Sequence, residues 1–394
     1  MTTTVQGFVA PGFEELADTF EQTNRNSPGG SALSILISGE PVVDLWAGTA
    51  NPYTSAAWEA DTATVVFSCT KGIMSLLIGR LVQDGRLELD APVTTYWPEF
   101  GANGKESVTV RELLAHRAGL AAPQRDIDLE TALDWQAVTA ELAGQKPLWE
   151  PGTNYGYHAL TFGWLSGELI RRVTGKTVSH YLHDAVTGPL GADFWIGVPD
   201  DVAPRVARLI ASDTLGQAAP GPSLIDPADA YWMERAMTLG AAFPAALVKP
   251  GEGFDDQRVQ KAEIPGAGGI ATATALATIW SAAVTTTNGT RLLDDVVARD
   301  MTSVQSEGAP VWWLPGPYPR WGTGFMLTSE RRRFLTPRSF GHDGAGGQVA
   351  FASPEHELGF AYTTNVLQGQ EDNRGTSLVQ SLAATLGEKG GHAQ

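Results

Sequence analysis

Apolar positions recur along this chain with two periods, and each period selects an element. Residues 12–24 carry the helical period. Residues 32–38 and 41–47 are β-branched and apolar runs joined through Ser38-Gly39-Glu40, which predicts a hairpin. Residues 348–352 and 358–364 repeat that hairpin pattern around Pro354-Glu355, and a helical stretch covers 375–386. Between these ends the pattern is mostly helical. Residues 68–84 read as an amphipathic helix stopped by Gly85, Thr109-Val110-Arg111-Glu112 is a capping box ahead of Leu113 and Leu114, and 158–174 is a run closed by Gly175. Sheet segments at both ends enclosing a helical middle predict an α/β fold completed when the C-terminal strands return beside the N-terminal ones. The expected division is a discontinuous α/β domain of 1–85 with 260–394, and a mainly helical subdomain of 86–259, with a site in the cleft between them.

Composition narrows the partners. The 394 residues are 43% hydrophobic and 18% charged, which argues for a folded chain with a large core. The net charge of −17 with scattered basic residues leaves no footprint for nucleic acid or an anionic membrane. A single cysteine, Cys69, excludes an internal disulfide and a thiolate-rich metal site, and no cofactor is expected. The opening residues lack the basic region and apolar run of a secretory signal, and no stretch reaches the length of a membrane span, so a cytoplasmic protein is expected. Twelve Trp, several in loop-like sequence, suggest ordered loops around an aromatic pocket.

The chain has no G-x-S-x-G elbow, no H-E-x-x-H and no P-loop. It does have Ser68-Cys69-Thr70-Lys71 where the strand-like run Thr64-Val65-Val66-Phe67 turns into a helix. Helical positions i and i+3 share a face, so the Lys71 amine can reach the Ser68 hydroxyl. Serine needs a base, and a lysine whose pKa is lowered by burial and a helix N-terminus can serve. Cys69, one position further round the helix, is expected to point into the core.

The surroundings of this tetrapeptide are specific. Ser68-Cys69-Thr70-Lys71-Gly72, Leu81-Val82-Gln83-Asp84-Gly85-Arg86-Leu87 and Val110-Arg111-Glu112-Leu113-Leu114-Ala115-His116-Arg117-Ala118-Gly119-Leu120 closely resemble the serine β-lactamase-like superfamily, nearest to its class C β-lactamases, DD-peptidases and family VIII carboxylesterases. The resemblance covers nearly the whole chain. It implies an antiparallel sheet flanked by helices with an inserted helical subdomain, and Ser68 and Lys71 as catalytic residues. A family tyrosine follows Pro-Gly-Thr, and in Pro151-Gly152-Thr153-Asn154-Tyr155-Gly156-Tyr157-His158-Ala159 the spacing selects Tyr157, with Tyr155 as a packing aromatic. Ala159 stands where β-lactamases usually carry Asn.

The family's Lys-Thr-Gly strand triad is replaced by His342-Asp343-Gly344. The resemblance implies an oxyanion hole from the N–H groups of Ser68 and Ala345, with His342 and Gly344 in substrate-binding positions. His116 resembles a structural position. Trp232, Phe243 and Trp313 are the expected pocket walls, and Thr272 can cap a helix. The expectation is a serine hydrolase acting on small-molecule carboxylic esters of short to medium acyl chain through an acyl-enzyme on Ser68. A β-lactamase or DD-peptidase, an acyltransferase, and a non-catalytic acyl-ligand binder are the alternatives.

Overall fold

The two hairpins read from the sequence lie side by side in one antiparallel sheet. In the computed structural model, which describes residues 4–212, 225–312, 315–369 and 372–387, strand Gly30–Ile37 pairs with Glu40–Asn51 and strand Gln348–Ser353 with Leu358–Thr364. The seam between the hairpins runs from Leu358 opposite Ile37 to Thr364 opposite Ser31. Strand Gln6–Val9 extends one side; Phe340–Gly344, Met326–Leu327 and Arg320–Trp321 extend the other, giving nine strands with the short Ala56–Ala57.

Both faces of this sheet are covered, which is why Leu358–Thr364 is buried at every position rather than alternately. Leu16 and Phe20 of helix Glu14–Asn24 join Leu378 and Leu382 of helix Arg374–Thr385 against Leu33, Ile35, Phe351 and Phe360 on one face. Helix Ala273–Ala282 covers the other so closely that a Cβ at Gly359 would sit 2.2 Å from the Ala277 carbonyl oxygen. Thr272 caps that helix, accepting from Ala275 N at 3.1 Å.

The inserted helices follow their sequence signals at the ends. Thr109 and Glu112 form a reciprocal capping box, and Gly175 closes helix Thr161–Thr174 with φ 71°. That helix begins three residues later than the pattern predicted, leaving 155–160 outside it. Helix Cys69–Gln83 departs more. It is buried on all sides from Cys69 to Gly79 rather than amphipathic, because it threads between strand Phe340–Gly344, helix Thr161–Thr174 and helix Asp295–Met301. A second, three-stranded sheet orders Thr64–Val65, Gly269–Ala271 and Phe194–Ile196, and holds the start of the buried helix against residues 266–269. Among the described residues no helix is long and apolar enough to cross a membrane.

Candidate active site

The turn that presents Ser68 is strained and clamped. Strand Thr64–Val65 ends with Val66 N donating to Gly269 O at 2.8 Å, and Phe67 then adopts φ 46°, a region L-residues other than Asn and Asp rarely occupy. Its carbonyl accepts from Thr70 N at 2.9 Å and from Thr70 Oγ1 at 2.5 Å, which starts the helix at once. The Phe67 ring meets Phe254 edge-on at 5.4 Å, and Phe254 stacks on Phe243 at 5.0 Å. Phe243 is therefore a core residue buttressing the turn, not the pocket wall expected from the sequence.

Two side chains converge on the Ser68 hydroxyl. Lys71 Nζ and Tyr157 Oη each lie 2.9 Å from Ser68 Oγ. Lys71 is wholly buried, and its Nζ also donates to Gly266 O at 2.6 Å and sits 4.9 Å from the centre of the Tyr157 ring. Burial pulls its pKa down from 10.5 to about 7, with the Asp343 carboxylate opposing. Burial also pushes the Tyr157 phenol up, against the Ser68 hydrogen bond. At neutral pH the constellation thus holds a largely neutral phenol and an amine near its midpoint, the form in which a lone pair can accept the serine proton. Cys69 faces the other way, its Sγ 3.4 Å from His342 O, and burial raises its thiol pKa.

Strand Phe340–Gly344 closes the site from the sheet side. Glycine at 344 is required by proximity: a Cβ there would lie 2.5 Å from Val66 O and 3.2 Å from Cys69 Sγ. Gln348 Nε2 donates to Val65 O at 3.0 Å and to Ala345 O at 3.2 Å, tying the following turn to the strand that leads to Ser68. Among the described residues neither Ser68 N–H nor Ala345 N–H has a partner, so both are free to donate to a ligand.

His342 lies where expected along the chain but does not face open solvent. Its side chain is fully buried with Cβ toward the helix at Gly72, and Trp321 and Tyr157 cover the ring at 5.4 and 6.1 Å. Nδ1–H donates to Asp343 O at 2.7 Å, Nε2 has no partner, and burial lowers the pKa, so the ring is neutral and offers no cation. Burial disfavours the Asp343 carboxylate, but His342 and the Arg332 guanidinium more than offset this and hold it well below the usual carboxylate range.

An apolar cluster flanks Tyr157. It contains Trp232, Trp149, Trp312, Met233 and Met237 around Ala121, Ala122, Ala159 and Ala236. Trp232 is thus brought to the site and Ala159 shares its wall, while Trp313 lies outside the described residues. Trp321, stacked on Tyr157 at 5.3 Å and 17°, and Phe325 are core. Sequence reasoning passed over Gln348 and the Asp343–Arg332 pair; their roles depend on strand register, for which one chain offers no signal. His116, a structural position by sequence, packs edge-on against Tyr157 at 5.1 Å.

A family model described as beta-lactamase matches residues 14–384. Esterase/beta-lactamase LipL of Mycobacterium tuberculosis is 34% identical over 351 residues, which is 86% of this chain and 77% of that protein. The crystal structure of a family VIII carboxylesterase superposes with TM-score 0.86 at 32% identity, covering 97% of this chain and 100% of that one. A penicillin-binding protein homologue from Caulobacter crescentus gives TM-score 0.85 at 34% identity, with the same coverage.

Proposed function

The chain belongs to the beta-lactamase family, and on that premise we propose that it hydrolyses neutral carboxylic esters of short to medium acyl chain through an acyl-enzyme on Ser68. The observation that carries this reading is the pair of 2.9 Å contacts by which Lys71 and Tyr157 meet at Ser68 Oγ.

Neutral Lys71 takes the serine proton as Oγ adds to the ester carbonyl. The charge developing on the carbonyl oxygen is met by the N–H groups of Ser68 and Ala345, donors fixed in place before reaction. Collapse of the tetrahedral species expels the alcohol, which takes its proton back from the Lys71 ammonium with Tyr157 as the bridging hydroxyl. Water, activated by the same amine, then releases the acid. The wall of Trp232 and its neighbours supports an apolar acyl or alcohol group, and relatives named as esterases point the same way.

A lactam would find less here. Ala159 offers no amide, and the buried neutral ring of His342 supplies no cation for a carboxylate. Each missing contact removes about 1.5–3 kcal/mol of binding. Purified protein is assayed with p-nitrophenyl acetate, p-nitrophenyl octanoate and nitrocefin. We expect kcat/KM for an ester to exceed that for nitrocefin by at least about 100-fold, one such interaction taken twice. Equal efficiencies would favour the β-lactamase reading instead.

A further inference from the structure

We propose that His116 is a positioning residue that grips the backbone on both sides of Tyr157 and thereby sets the phenol oxygen against Ser68 Oγ. The inference rests on the reading of Tyr157 as part of the proton-transfer unit.

Two acceptors on this one residue bracket the tyrosine. His116 O accepts from Gly156 N at 3.1 Å, and His116 Nδ1 accepts from His158 N at 3.2 Å. Reaching both requires the backbone at 116 to turn back, and it does so with φ 63°. The imidazole then packs edge-on against the Tyr157 ring at 5.1 Å and against Trp321 at 4.6 Å, so the rings on which the phenol rests are located by the same group. His158 reinforces the bracket: its Nδ1–H donates to Gly156 O at 2.6 Å and its Nε2 accepts from Leu120 N at 3.1 Å. Residues 156–158 lie outside any helix or strand, so these bonds do the holding that secondary structure would otherwise do.

The protonation of His116 is dictated by its partner. A backbone N–H can only donate, so Nδ1 must be the unprotonated nitrogen and Nε2 carries the hydrogen; Nε2 has no hydrogen-bond partner and is buried among rings. Burial, with His158, Lys71 and His342 adding repulsion, keeps the ring neutral. A buried imidazole making one side-chain hydrogen bond, to the peptide next to Tyr157, is placed for holding that peptide.

The test separates the acceptor from the bulk of the ring. His116→Asn keeps an oxygen near the Nδ1 place, and asparagine tolerates positive φ. His116→Gln fills similar volume but puts its amide near Nε2, leaving His158 N–H without an acceptor. For a phenol displaced by about an ångström, His116→Gln should lower kcat roughly 100-fold with KM within about three-fold, and His116→Asn should stay within about five-fold of the parent. In a Tyr157→Phe background His116→Gln should cost less than about three-fold more, because its effect passes through the hydroxyl already removed. An undiminished loss in that background, or Asn no better than Gln, overturns the proposal. Tyr157→Phe at the parent rate overturns the reading of Tyr157 and the positioning role with it. A measurement without variants guards against misfolding: imidazole 15N shifts must show His116 protonated at Nε2 and bare at Nδ1, and the opposite tautomer refutes the grip.

Discussion

In the proposed mechanism, burial of Lys71 sets the pH at which Ser68 acquires a base. With a pKa of about 7 in place of 10.5, half the molecules carry a neutral amine at pH 7, whereas an exposed lysine would be neutral in about one molecule in 3,000. Desolvation therefore multiplies the reactive fraction by roughly 1,500 at pH 7, a gain that the lower basicity of the amine offsets only in part. Acylation should rise tenfold per pH unit below 7, stand at about 1% of its plateau at pH 5, and level above pH 8. The assay is kcat/KM for p-nitrophenyl acetate from pH 5 to 9 at constant ionic strength, with spontaneous hydrolysis subtracted. The neighbours add a signed control. Asp343 favours the ammonium form, so Asp343→Asn should move the midpoint down. Lys71→Arg should lose at least about 1,000-fold and the limb near pH 7, since a guanidinium does not deprotonate in this range. A profile flat between pH 6 and 8, or a midpoint above 9, would refute the argument that burial creates the base.

Three further outcomes follow from contacts in the site. Gly344→Ala would force a Cβ to 2.5 Å from Val66 O, so the turn bearing Ala345 should lift and kcat fall about 100-fold with the fold retained, checked by kinetics beside circular dichroism. Cys69→Ala should keep turnover within a few-fold while Ser68→Ala abolishes it, and mass spectrometry of the trapped acyl-enzyme should find the added mass on Ser68, since Cys69 Sγ faces His342 O. The unfolded chain binds the Lys71 proton up to about pH 10.5 and the folded one only to about 7. The parent should therefore gain up to about 3.5 kcal/mol relative to Lys71→Met between pH 7 and 10, read as converging or crossing melting temperatures; a pH-independent gap would contradict this.

What was legible in the sequence was local. The capping box at Thr109 and Glu112, the αL closure at Gly175 and the two hairpins all depend on residues a few positions apart. The Ser68–Lys71 contact depends only on helical spacing. Properties set by distant segments were not legible. Helix Cys69–Gln83 has Arg80 and Gln83 near its end, which suggested a polar face, but its packing partners come from three separate stretches of chain and leave no such face over its first turns. Phe243 resembled a loop aromatic because its partner, Phe254, stands eleven positions on with no period between them. His342 occupied the expected place in its strand; that Trp321 and Tyr157 would seal its ring depended on how three segments meet.

The seam between strands Gly30–Ile37 and Leu358–Thr364 bears on how the protein comes into being on the ribosome. Ser68 is translated early, but the turn bearing Ala345, which follows strand Phe340–Gly344, precedes the seam's second half and cannot be fixed against the sheet until residue 364 has emerged. At about 5–20 residues per second the nascent chain spends roughly 15–60 s with Ser68 made and the turn that completes the proposed site unassembled. The central strand pairing spans more than three hundred residues of sequence, a loop whose closure entropy is met late and slowly. Until then the apolar edge of Gly30–Ile37 waits unpaired on its inner side, a surface for chaperones to cover and a place where temperature-sensitive folding defects should concentrate.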